Sequence, residues 1–125
     1  MVLFNKAKEA DLKEYIYNSN LHDAIIMDSH YDRIKKELKL MIKSSISGKD
    51  IGVIFSGVDV LISISGTAYG ERNVILSATI EEDFSPLGKC FPADREHNSD
   101  SIYMLFQMFS EDELHIVAKE ICFVM

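Results

Sequence analysis

A chain of 125 residues, 47% of them hydrophobic, can bury one core but is too short for two ordinary domains, so a single domain over 1–125 is expected. A net charge of −7 argues against direct nucleic-acid binding, which needs clustered Lys and Arg on the phosphates. No apolar run approaches the roughly 20 residues of a membrane-spanning helix, so no membrane association is expected.

The N-terminal MVLFNKAKEADLKE is charged within its first six residues and has no apolar stretch before a cleavage site, which predicts a cytoplasmic protein without a secretory leader. Residues 5–18 read as the best helix. Asp11 and Glu14 have capping-box spacing, Leu12, Tyr15 and Ile16 form a short apolar stripe, and Asn18-Ser19-Asn20 ends it. Residues 21–45 carry two periods at once. Tyr31, Ile34, Leu38, Met41 and Ile42 fit a helix, while Leu38, Leu40 and Ile42 alternate with Lys39, Met41 and Lys43 as a half-buried strand would. The strand reading of 37–43 is preferred, because Ser47-Gly48-Lys49-Asp50 supplies a hairpin turn into the alternating run Ile51, Val53, Phe55.

Further period-two runs follow at Val58 to Ile64, at Val74, Leu76, Ala78 and Ile80, and at Ile102, Met104, Phe106 and Met108. Gly57 sits where the alternation shifts phase by one residue, the mark of a bulge or tight bend. Met104 and Met108 at strand spacing read as core. Residues 85–99, SPLGKCFPADREHNS, form the one long loop. The C-terminal part is ambiguous again: Ser110 with Glu113 mimics a helix cap, yet Leu114, Ile116 and Ala118 alternate, which favours a hairpin with 102–109 through Ser110-Glu111-Asp112. The expected fold is α+β, a short N-terminal helix packed on a mostly antiparallel twisted sheet or partly open barrel of about six or seven strands.

Residues able to carry chemistry are scattered. Cys90 and Cys122 have no CxxC spacing and are too few for a disulfide framework. His22 and Asp23, with His30 and Asp32 nearby, are the place to look for a metal or an acid–base pair. Adjacent strand residues point to opposite faces, however, and neither His97 nor His115 has the further Asp such sites need, so a turn is expected instead. Cys90, Asp94 and His97 share one loop with nothing to orient a base, and the phosphate-loop, dinucleotide, nucleophile-elbow and zinc-protease patterns are absent. No catalytic residue, metal or cofactor is therefore assigned.

Leu21-His22-Asp23-Ala24 and Phe55-Ser56-Gly57-Val58, in the order helix, LHDA, strand, turn, strand, resemble a set of small bacterial proteins. Some of these are assigned as immunity proteins of polymorphic or contact-dependent toxin systems, in which an LHD(S/A) element opens a β-rich domain. The resemblance covers residues 12–65, and ELHIVAKEICF is similar to the closing strand of such domains. It implies a protein that blocks a toxin by binding it, without catalysis of its own. Charge agrees with that implication. Nine acids, Glu81, Glu82, Asp83, Asp94, Glu96, Asp100, Glu111, Asp112 and Glu113, face only Lys89 and Arg95 in the same stretch, and the remainder holds eleven of each sign. Such a region can attract a basic partner, as the phosphate-holding cleft of a nuclease toxin would be. These nine are the expected partner-binding residues, and a homodimer stays open. The reading from a different class is a small enzyme or ligand-binding domain with a site near His22 and Asp23.

Overall fold

The computed structural model describes residues 1–19, 21–66, 73–85, 87 and 100–124. A first strand, β1 (Val2–Asn5), passes through a 3-10 turn (Lys6–Lys8) into α1 (Glu9–Ser19). Eight strands follow: β2 (Ile25–Asp32), β3 (Glu37–Lys43), β4 (Asp50–Ser56), β5 (Val60–Ile64), β6 (Ile75–Glu81), β7 (Ile102–Met108), β8 (Glu113–Ala118) and β9 (Glu120–Val124). They make two antiparallel sheets, a first of order β1-β9-β4-β3-β2 and a second of order β5-β8-β7-β6.

The fold is thus α+β, with one short helix and strands dominating. The expected single sheet or partly open barrel of six or seven strands is corrected to two sheets. The cause is a paired bend. β4 leaves the first sheet at Gly57, whose φ of 65° suits a residue without Cβ, and continues as β5 in the second. Opposite it, β8 and β9 divide at Lys119. Bonds from Lys119 N–H to the Ser56 carbonyl (3.0 Å) and from Asp59 N–H to the Val117 carbonyl (2.8 Å) carry the two-stranded ribbon round the corner. Strands that switch sheets at such bends let one continuous ladder serve two packed layers.

Residues 37–43 are strand. Leu38, Leu40 and Ile42 are buried while Lys39, Met41 and Lys43 face out, and β3 pairs on both sides, with β2 and β4. A helix there would have left β4 without its neighbour. The turn before β4 is fixed by Ser44, whose Oγ accepts from the N–H groups of Ile46 and Ser47, and by Gly48 at φ 68°. Residues 113–124 are also strand, in two pieces.

Two local expectations change. The helix begins at Glu9, so Asp11 lies in its first turn and is no cap. In β6 a register shift between Ile75 and Ser77 inverts the alternation: Ile75 is fully buried and Leu76 is turned outward, so Val74 and Leu76 do not share the inner face with Ala78 and Ile80.

Between the sheets, Phe55, Phe106, Phe123, Leu40, Ile42, Met104, Ile116 and Ile121 are fully buried. α1 adds Leu12 and Ile16, and Tyr15 stacks between Phe4 and Phe123 with ring centroids at 5.3 and 4.8 Å. A smaller cluster of Val60, Tyr103, Leu105 and Val117 lies on the outer face of the second sheet, capped by Leu87 and Phe84. Gly66 packs directly on the β7–β8 hairpin, where an added Cβ would overlap the Ser110 carbonyl oxygen and the Glu111 carbonyl carbon. Gly66→Ala is accordingly expected to destabilise the fold by about 1–3 kcal/mol, since backbone has to shift rather than a flexible side chain. Urea unfolding of the variant checks this, and a loss below about 0.5 kcal/mol would contradict the close packing.

Candidate functional site

Leu21-His22-Asp23-Ala24 folds as a turn, closed by the bond from Ala24 N–H to the Leu21 carbonyl (3.0 Å), with Asp23 at φ 69°. His22 Nδ1 donates to the Leu76 carbonyl (2.7 Å), and its Nε2 lies 3.5 Å from Asp23 Oδ1. Beside it the backbone of 23–26 reaches across to 73–75. Asp23 N–H bonds the Ile75 carbonyl, Ile75 N–H the Ala24 carbonyl, and Ile26 N–H the Asn73 carbonyl, each at 2.8 Å. The LHDA element therefore fastens the open side of the first sheet to β6 of the second. A groove of ≈ 460 Å³ runs alongside, between α1 and β6, lined by Lys13, Ile16, Tyr17, His22 and Leu76. Among the described residues no group of three or more His, Cys, Asp and Glu side chains is placed to hold a metal ion.

The acidic residues fall into two sets. Glu81 ends β6 opposite Tyr103, Glu82 and Asp83 follow it, and Asp100 precedes β7, so these four gather at one end of the second sheet. Glu111 and Asp112 sit beyond the other end of the seven-residue β7, about 20 Å away at some 3.3 Å per residue, and Glu113 opens β8 opposite Gln107. Asp94 and Glu96, like Cys90 and His97, lie outside the described residues.

Their surroundings differ as well. Lys13 Nζ donates to Glu82 Oε1 at 2.5 Å and holds that carboxyl below the usual range, while Glu82 raises the Lys13 ammonium in return. Asp83 is lowered by bonds from Ser85 N–H (2.9 Å) and Ser85 Oγ (2.8 Å). Asp100 meets Lys119 at 3.2 Å. All of these contacts are exposed to water. In the hairpin set, Asp112 accepts from Gly66 N–H and Ser110 Oγ, both at 2.6 Å, and so closes the loop. Glu111 occupies a left-handed conformation, φ 67°.

The sequence reading missed one constellation. On the outer face of the second sheet the Tyr103 hydroxyl donates to His115 Nδ1 (2.5 Å), and His115 Nε2–H donates to Glu113 Oε1 (2.9 Å). The tautomer follows from the network: an ionised carboxylate can only accept, so Nε2 holds the proton and Nδ1 is left to accept. A hydroxyl, an imidazole and a carboxylate in line have the connectivity of a nucleophile, base and orienting group. Tyr103 is fully buried under Phe84 and Leu87, however, so this arrangement joins polar groups inside a small core. The signal was present as Glu113-Leu114-His115, two polar residues on one strand face, but only a second covered face on that sheet makes them neighbours of Tyr103.

No family model matches the chain, and no curated protein matches it either. Among the described residues no helix is long and apolar enough to cross a membrane.

Proposed function

We propose that the protein is a binding protein that engages a basic partner protein through the acidic end of its second sheet. In keeping with the resemblance at Leu21 to Ala24, the partner is a cognate bacterial toxin that the protein neutralises in the cytoplasm. The observation that carries this reading is the convergence of Glu81, Glu82, Asp83 and Asp100 where β6 ends and β7 begins. Among the described residues only Glu82 and Asp100 of the four are drawn toward cations of the same chain, Lys13 and Lys119, and those ammonium groups remain solvent-accessible and can yield to a partner's Lys or Arg. The negative field of this end favours a surface that otherwise holds nucleic-acid phosphate.

The test is association kinetics with the toxin-domain protein encoded beside this gene. Replacing Glu81 and Asp83 by their amides together with Asp100→Asn is expected to slow association about tenfold at low salt, and added salt should slow the parent protein likewise by screening. A control set at Asp28, Asp50 and Glu111, away from that end, should leave the rate within about twofold. Equal slowing by both sets would mean that net charge, and not this surface, steers the encounter. The groove beside His22 supports a ligand-binding reading as well. A small molecule that raises the melting temperature of the parent but not of His22→Ala would favour it.

A further inference from the structure

Sheet edges offer unpaired backbone groups to any passing strand, and folded proteins blunt them with charges, bulges, Pro, short length or a covering element. The two sheets here have four edge strands, β1, β2, β5 and β6. Three are blunted. β1 is only four residues long and runs straight into Lys6–Lys8. β2 carries Asp28, His30 and Asp32, has a register shift between Ile26 and Asp28, and is bridged to Val74 at its start. β6 has the shift at Ile75/Ser77, and α1 lies against it. β5, five residues long, has no bulge and, among the described residues, no covering element. Its sequence Val60-Leu61-Ile62-Ser63-Ile64 has no charge, Pro or Gly, and its register with β8 is unbroken from Val60 opposite Val117 to Ile64 opposite Glu113. Among the described residues no strand pairs with its other side.

We propose that β5 pairs antiparallel with β5 of a second copy of this chain, about a two-fold axis at Ile62, joining two four-stranded sheets into one of eight. The sequence of the edge selects that occupant. With Ile62 opposite itself, Leu61 faces Ser63 and Val60 faces Ile64, and just outside the strand Asp59 of one copy faces Ser65 of the other. No like charges meet. A strand rich in Lys or Arg would find no acid along β5 to balance it, whereas the edge complements itself, as an isologous interface requires. Packing gives a second reason. Val60 and Ile62 already belong to the outer cluster with Tyr103, Leu105 and Val117, while Ile64 at its open end is 46% exposed. Pairing brings the second copy's Val60 beside Ile64 and continues the cluster across the axis.

A single five-residue ladder makes a small interface, so the dimer should depend on concentration. Each copy carries −7, so added salt should strengthen the dimer by screening, the opposite of its effect on docking at the acidic end. This inference concerns a different surface and stands apart from the toxin reading. Sedimentation velocity over a hundredfold concentration range should show a dimer fraction that rises with protein and with salt. Ile64→Lys, which sets a charge opposite Val60, should abolish it while circular dichroism and the melting temperature stay unchanged. Independently, in a Cys90→Ser background, Ile62→Cys should give a covalent dimer on mild oxidation and Ile64→Cys should not, because only residue 62 meets its own copy. A chain that stays monomeric throughout, a dimer that survives Ile64→Lys, or cross-linking at 64 in place of 62 would overturn the proposal. Should Ile64→Lys unfold the protein, the cysteine pair decides.

Discussion

Phe106→Ala is expected to lower the unfolding free energy by about 3–5 kcal/mol, the usual cost of emptying a buried phenylalanine site. Phe106 is fully buried at the middle of β7, with Ala78 and Leu114 as its cross-strand neighbours and Met104 and Met108 two residues to either side on the same face. β7 is an interior strand, held on both edges, so its backbone cannot close the hole by moving toward the first sheet. The flexible methionines can fill part of it, which favours the lower half of the range. Against a typical domain stability of about 5–15 kcal/mol, this loss decides whether the chain remains folded at ambient temperature. Urea unfolding should show a lower midpoint with an unchanged slope. Leu76→Ala, at the outward-facing bulge position of β6, should cost under about 1 kcal/mol. If the two variants cost the same, the inner and outer faces of the second sheet are not as described.

That contrast between Phe106 and Leu76 also marks what the sequence could convey. Alternation identified the inner residues of β3 and β4 because each of them has one buried face and an unbroken register, so the period-two signal is clean; in β7 Ile102, Met104, Phe106 and Met108 keep the same period although Tyr103 and Leu105 on the opposite face are buried too. It failed at β6, where one extra residue at the bulge shifts the phase, and no side-chain pattern announces a bulge without Gly or Pro. Gly57 did announce the bend, but a local signal cannot say that the strand beyond it joins another sheet. That depends on Lys119, 62 positions away, bending at the same place. The acidic stretch was legible as composition, whereas its division into two ends of β7 is a matter of register. His115 was dismissed for want of a metal-site partner. Its real partners, Tyr103 and Glu113, follow from the outer face of the second sheet being covered as well as the inner one, which strands with one buried face do not suggest.

Tyr103→Phe should cost about 1–3 kcal/mol at neutral pH although it removes one oxygen atom. The hydroxyl is the donor to His115 Nδ1, and without it a buried acceptor is left with no partner, which carries the desolvation penalty of that atom. The same variant should change the alkaline limb of stability. Burial pushes the Tyr103 hydroxyl above its ordinary value, and the negative charges of Glu81, Glu113 and Asp83 push it further the same way. A raised acid keeps its proton in the folded chain longer than in the unfolded one. Its contribution is therefore fully present below about pH 10, the ordinary tyrosine value, and is lost as pH rises from there through the folded value. Unfolding measured at pH 7 and between pH 9 and 11 should show the parent losing stability more steeply than Tyr103→Phe on the alkaline side. A variant as stable as the parent at pH 7, with the same alkaline slope, would show that the Tyr103–His115 bond does not persist in solution.

The position of β9 has a consequence for how the protein is made. β9 comes last of all the strands along the chain, yet it lies inside the first sheet, paired with β1 on one side and β4 on the other. Until it arrives, β1 and the β2–β3–β4 meander share no hydrogen bond, and the nascent chain presents the edge of β4 to solvent and to neighbouring chains. In the first sheet, pairing therefore stops at a three-stranded meander until Glu120–Val124 is added, while all four strands of the second sheet are already in the chain. At that step β1 and β9, more than a hundred residues apart, are sewn together, and the loop-closure cost makes it slow. A chain that stops short of Glu120 loses both pairings of that strand together, so truncation there leaves the first sheet open between β1 and β4.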